Sequence, residues 1–199
     1  GLLFNAHTKN YQRLKIFDKV VIFSAFFGSK TNSDALVWFI NFVHPLIKLA
    51  VPDYTFKIIG RGANASLIAQ CQVDGVQFIG EVKEIEAEFQ FASVGIAPAL
   101  SGAGFRGKIN QYASVCLPCV ATSIAAKGFK YENGKSILIA DNSVAFAESC
   151  IKLLVDKDYC VQMGQEAQRV CLSYYTWSSM EANIIEAYNL ISKKELRGR

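Results

Sequence analysis

Apolar residues along this chain fall into two rhythms. One is the short, nearly unbroken run: Lys19-Val-Val-Ile-Phe-Ser24, Thr55-Phe-Lys-Ile-Ile59, Val76-Gln-Phe-Ile79, Val94-Gly-Ile-Ala97, Pro118 to Thr122, and Ser136 to Ala140. Such runs, bounded by turn residues, predict strands buried on both faces. The other is a 3.6-residue stripe, clearest at Leu36, Phe39, Ile40, Val43, Leu46 and Ile47, which predicts a helix. Asn32-Ser-Asp34 offers capping side chains just before it. Further helices are expected over Leu67–Cys71, Ile85–Phe91, Gly107–Val115, Ser143–Val155, Tyr159–Leu172 and Ser178–Ser192. Gly60 and Gly80 stop the second and third strands, and Pro52-Asp53 marks a turn.

Strands alternating with helices, and strands this apolar, predict an α/β fold: a Rossmann-like doubly wound parallel sheet. About six strands are expected, with the one starting near Lys19 well inside. Right-handed crossovers place ligands outside the carboxyl ends of the strands. The loops expected there are Phe26–Asn32, Gly60–Asn64, Gly80–Glu84, Ala99–Lys108 and Thr122–Gly128. Residues 1–18 read as a lead-in segment, 19–192 as the domain and 193–199 as a basic flexible tail.

Composition changes this picture little. The 199 residues are 51% hydrophobic, enough for one domain with a core. No apolar run reaches the roughly 18 residues that cross a bilayer. Gly1-Leu-Leu-Phe4 lacks a basic lead-in and a cleavage site, so no signal peptide is expected. A cytoplasmic location with reduced thiols follows as the expectation. The net charge of +4 lies partly in Lys193–Arg199, with no dense basic stripe, which disfavours nucleic acid as a partner.

The six cysteines fall on apolar positions and read as small buried hydrophobes. Cys116-Leu-Pro-Cys119 has redox spacing, but a helix precedes it and a strand contains Cys119, the reverse of the thioredoxin-like order. Zinc would need a second ligand pair, and neither His7 nor His44 is spaced with a cysteine. No metal is expected.

The stretch richest in chemistry is Gly102-Ala-Gly-Phe-Arg-Gly-Lys108, which follows a strand and opens a helix. A helix start presents unpaired N–H groups and partial positive charge, and glycines let a ligand approach closely. Arg106 and Lys108 add cations, so the turn suits phosphate. The plain alternative for each is a solvated surface cation. Gly60-Arg-Gly-Ala-Asn-Ala65 fits the dinucleotide fingerprint, with Glu81 about twenty residues on as the ribose acid. It follows the second strand rather than the first, which favours a simple tight turn.

These segments, in this order, resemble the C-terminal, nucleotide-sugar-binding half of a GT-B glycosyltransferase of the family-4 (group 1) type. The resemblance rests on Phe23–Leu36, Pro52–Gly62, Val76–Val82, Gly102–Lys108 with Leu117–Thr122, Lys127-Gly128, Asn133-Gly134 and Tyr175–Ser178. It covers about residues 19–190. It implies donor-binding residues Lys30, Val82, Gly102, Gly104, Phe105, Arg106, Lys108 and Gln111, with no catalytic residue assigned. The chain departs from the family pattern at several positions. Gln111 and Ala103 stand where many members carry two glutamates, and Phe26 stands where an arginine holds the diphosphate. Gln111 still accepts a hydrogen bond from a ribose hydroxyl, without charge.

The resemblance implies an enzyme: a donor domain that binds a nucleoside-diphosphate sugar for transfer to a glycan or lipid-linked acceptor, as in polysaccharide biosynthesis. It needs no cofactor. Its partners are the nucleotide sugar and an N-terminal acceptor-binding domain of a full-length protein, with peripheral association at the inner face of the membrane. Two other readings stay open: an NAD(P)-binding oxidoreductase domain, and a non-catalytic binding or interaction module that kept the fold.

Overall fold

Val20–Ser24 (β1) has no exposed position, as expected of a strand with neighbours on every side. The computed structural model describes residues 18–102 and 107–179, and singly Glu181, Ile185 and Tyr188. Around β1 lie Thr55–Ile59 (β2), Val76–Gly80 (β3), Val94–Ala97 (β4), Cys119–Ala121 (β5) and Leu138–Ile139 (β6). Every pairing is parallel and the order is β3-β2-β1-β4-β5-β6. The six-stranded doubly wound sheet expected from the sequence is present, with β1 inside it.

The helices are Lys30–Trp38 (α1), His44–Ala50 (α2), Ala65–Gln70 (α3), Ile85–Gln90 (α4), Gly107–Ser114 (α5), Ser123–Ala126 (α6), Ser143–Val155 (α7) and Lys157–Tyr174 (α8). Alternate strand residues feed two cores. Val21, Phe23, Phe56 and Ile58 pack on one face with Leu36, Phe39, Ile47, Phe146 and Leu153. Val20, Ile22 and Ile59 pack on the other with Phe89, Ile109, Tyr112 and Val170. Burying both faces explains why the strands are so uniformly apolar.

Three local expectations are corrected. The helix with the Leu36–Ile47 stripe is α1 and α2 joined by a π-helical turn, Phe39–Val43, where the His44 N–H donates to the Phe39 carbonyl. Pro45 lacks an N–H and its ring crowds the carbonyl four residues back, and a wider turn before it relieves that clash. Leu46 lies about a quarter turn from the centre of the stripe and sits at the rim, 37% exposed. Asn32-Ser-Asp34 does not cap the helix, because Ser29 is the N-cap and the three lie inside the first turns. The 122–128 loop contains the short helix α6, whose N-cap Thr122 accepts from the Ala125 N–H.

The expected segment 1–18, apart from Asp18, and the expected tail 193–199 lie outside the described residues, as does most of the expected Ser178–Ser192 helix. All six cysteines are buried and none is joined in a disulfide. Burial raises the Cys71 and Cys171 thiols to about 11 and pushes Cys119 and Cys150 up as well, far from reactive thiolates.

Candidate functional site

The strand order reverses at β1, which has β2 on one side and β4 on the other. Crossovers leave that point in opposite directions, so a crevice opens at the carboxyl ends. A two-part groove occupies it. One half, about 300 Å³, is lined by Ser24, Phe26 and Asn32 after β1 and by Lys108 and Gln111 of α5. The other, about 320 Å³, is lined by Arg61, Glu81, Val82 and Lys83. Ala25, Phe26, Ile59, Gly60 and Ile85 line both halves.

Two side chains fix α5 against the sheet. Tyr112 is wholly buried. Its hydroxyl accepts from the Ser24 N–H at 3.1 Å and donates to the Ile96 carbonyl at 3.3 Å, bridging the ends of β1 and β4. Its ring lies over Gly95, where a β-carbon would come within 2.6 Å of Tyr112 Cδ2. Burial holds the phenol above its ordinary pKa, so it stays a neutral donor. Lys108, half-buried, sets its Nζ 4.2 Å from the centroid of the Phe23 ring. That contact, worth about 0.5–2 kcal/mol, gives a helix-start lysine a reason to be there despite the dipole. It also holds the ammonium where the groove begins.

Backbone approach shapes the opposite wall. Gly60 has φ +145°, and a β-carbon there would lie 1.8 Å from the Ala25 carbonyl oxygen. Gly62 has φ +84°, and a β-carbon there would lie 2.7 Å from the Gly28 nitrogen. The Ala25 and Phe27 N–H groups donate to the Ile59 and Arg61 carbonyls at 3.0 and 2.8 Å. The Gly60-x-Gly62 motif therefore clamps the β1 loop to the β2 loop. The helix behind it, α3, has only six residues, and Glu81 pairs with Arg61 at 3.6 Å. The motif makes a tight turn here, and the helix after it is short. Asn32 Nδ2 donates to the Phe26 carbonyl at 2.9 Å and Ser33 Oγ to the Phe27 carbonyl at 2.7 Å, which secures the loop from the helix side.

Of the residues expected at the site, the fold brings Lys108 and Gln111 to one half of the groove and Val82 to the other. Gly102 is exposed after β4 with φ +99°, a conformation glycine favours. Gly104, Phe105 and Arg106 lie outside the described residues. Lys30 is not among the lining residues. It starts α1, 86% exposed, and pairs with Asp34 at 2.7 Å. Sequence reasoning missed Ser24, Asn32 and Tyr112. For Ser24, which ends β1, and Asn32, in the segment after it, the available signal was position alone; Tyr112 lies inside α5 and its bond to Ser24 spans 88 positions, so no local signal marked it. Among the described residues, no group of three or more His, Cys, Asp or Glu could hold a metal ion, and no helix is long and apolar enough to cross a membrane.

A doubly wound parallel sheet with a groove at its switch point is a Rossmann-like α/β domain, and in this case the sheet is that of GT-B glycosyltransferase domains. The chain belongs to the group 1 glycosyl transferases: that family's model matches residues 18–156. Among curated proteins it is 26% identical over 153 residues to an uncharacterized 44.6 kDa protein in the cps region of Klebsiella pneumoniae, covering 73% of this chain and 39% of that one.

Among solved structures, Anabaena HepE in complex with UDP and glucose matches with a TM-score of 0.71 at 15% identity, over 89% of this chain and 50% of that one. A TarM mutant of S. aureus, solved with UDP among its ligands, matches with a TM-score of 0.77 at 15% identity, over 93% and 38%. The C-terminal domain of LpcC, a group 1 glycosyl transferase of Francisella tularensis, matches with a TM-score of 0.64 at 15% identity, over 88% of this chain and 97% of that domain. At such identities these likenesses establish the shared fold. The chain spans less than half the length of the curated relative and about half that of HepE.

Proposed function

We propose that this chain is the donor-binding half of a glycosyltransferase. It holds a nucleoside-diphosphate sugar for transfer to a glycan or lipid-linked acceptor, and the acceptor site belongs to another domain of a longer protein. The observation that carries this reading is the groove at the β1/β4 switch point, onto which α5 presents Lys108 and Gln111 together. In this reading the turn before α5 and its first N–H groups cradle the diphosphate. Lys108 neutralises its charge, and Arg106 adds to it. Gln111 accepts from the ribose. Catalysis is then electrostatic: cation and N–H groups stabilise the departing diphosphate. The family membership and the UDP in the HepE and TarM complexes support this substrate class. The reading places the chain in the cytoplasm, at the membrane's inner face when the acceptor is lipid-linked, and it calls for no metal.

Calorimetry on Lys108→Ala and Gln111→Ala tests it. A charge-assisted contact contributes about 1.5–3 kcal/mol, so Lys108→Ala should weaken nucleoside-diphosphate binding about tenfold or more. The free nucleoside should be nearly unaffected. Gln111→Ala should weaken both ligands by similar factors, since both carry the ribose. Unchanged diphosphate affinity in Lys108→Ala, or equal harm to the nucleoside, would refute the phosphate assignment. The isolated chain should bind donor yet transfer negligible sugar, because proximity to the acceptor supplies much of the rate.

A further inference from the structure

Phe26 is the one residue of the β1 loop that leaves a large apolar ring in the groove, 55% exposed, while its neighbour Phe27 is buried against Phe23 and Phe78. Its position is built. A β-carbon on Gly28 would lie 2.4 Å from Phe26 Cζ, and one on Gly62 would lie 2.7 Å from Phe26 Cε2. Two glycines from two loops thus make room for the ring. Asn32 Nδ2 holds the Phe26 carbonyl at 2.9 Å, and the Phe27 N–H is tied to the Arg61 carbonyl. The backbone that carries the ring is fixed on both sides.

The two halves of the groove differ in chemistry. The Lys108 half carries a cation with no carboxylate among its lining residues. The other half sets Glu81 and Glu86 against Arg61 and Lys83, so its rim charges cancel, and Arg61 and Glu81 already pair. Between those rims Phe26 shares an apolar slot with Ile59, Val82 and Ile85. A phosphate gains nothing from an aromatic ring in such a slot. A flat ring does, because a slot lined by an aromatic ring and aliphatic side chains suits a planar heterocycle.

We infer that Phe26 is a stacking residue for the nucleobase of the donor, so that base recognition lies in the Phe26–Val82–Ile85 slot and charge recognition on Lys108. This rests on the donor-binding reading above. Phe26 acts on affinity and base preference, and takes no part in bond making.

The test uses calorimetry with whichever of UDP, GDP and ADP the wild type binds best, its free nucleoside, and pyrophosphate. Phe26→Ala should weaken the nucleoside diphosphate and the nucleoside by the same factor, about tenfold, within the range of base–aromatic stacking. Pyrophosphate binding should not change, and the thermal midpoint should hold because the ring is over half exposed. Phe26→Tyr should restore affinity for both ligands. Unchanged nucleotide affinity in Phe26→Ala would overturn the inference. So would an equal loss for pyrophosphate, or a loss confined to the nucleoside diphosphate with the nucleoside unaffected, which would put the phosphates rather than the base at the ring. A wild type that binds none of the three nucleotides would instead remove the donor-binding reading, and this inference with it.

Discussion

The two ends of the sheet are built by opposite means. At the amino edge, side chains bond to one another and to loop carbonyls. Buried His44 holds Tyr54 through Nδ1 and the Asp74 carbonyl through Nε2 at 3.0 Å, and Lys48 pairs with Asp74 at 3.1 Å. Lys19 pairs with Asp53, and Ser93 Oγ donates to the Asp18 carbonyl. At the carboxyl edge, glycines bring backbone to backbone, and Phe26, Lys108 and Gln111 are left facing a groove. Side chains occupied with one another stabilise an end and leave nothing for a ligand. Here the close backbone approach leaves the Phe26 ring and Gln111 lining the groove, at the switch point where sites of such sheets gather.

The sharpest way to break this contrast is to place a methyl group where the carboxyl edge needs none. Gly60→Ala combines a positive φ with a β-carbon 1.8 Å from the Ala25 oxygen, so backbone must move. It should cost at least about 3 kcal/mol in urea unfolding. Gly80→Ala also meets a positive φ, +84°, but has open space around it, and should cost only about 1 kcal/mol. Equal costs would mean that the Gly60 contact does not shape the edge.

At the amino edge, His44→Phe leaves the Asp74 carbonyl without its partner and the Tyr54 hydroxyl with only its 3.5 Å bond to the main-chain carbonyl of residue 44. The expected loss is about 1–3 kcal/mol of stability, with nucleotide affinity unchanged in calorimetry. A drop in affinity would show that the two ends are coupled and break the comparison.

The smallest effect sharpens it. Burial lowers the His44 pKa from 6.5, chiefly by desolvation and against the bond to Asp74. The unfolded chain then binds the proton more readily than the folded one. The stability tied to neutral His44 is present above about pH 6.5 and is lost as pH falls through the lowered value. The gap in thermal midpoint between wild type and His44→Phe should therefore narrow on acidification. A gap that widened would reverse the assignment.

The sequence alone determined the repeating part of this molecule. Strand and helix order, the parallel sheet, the glycine turn after β2 and the helix carrying Lys108 and Gln111 all follow from local rules: burial period, turn chemistry and helix signals act over a few residues. Tertiary structure decided what each side chain meets. The Tyr112–Ser24 bond spans 88 positions, the Lys108 ammonium finds a ring on β1, and the Phe26 ring rests on Gly62 of another loop. Asn32 and Lys30 show the same limit. Both look alike as polar residues at a helix start, yet one holds the groove's loop and the other pairs with Asp34 at the surface. Contacts between segments far apart in the chain leave no periodic trace in either one, so only the packed sheet reveals them.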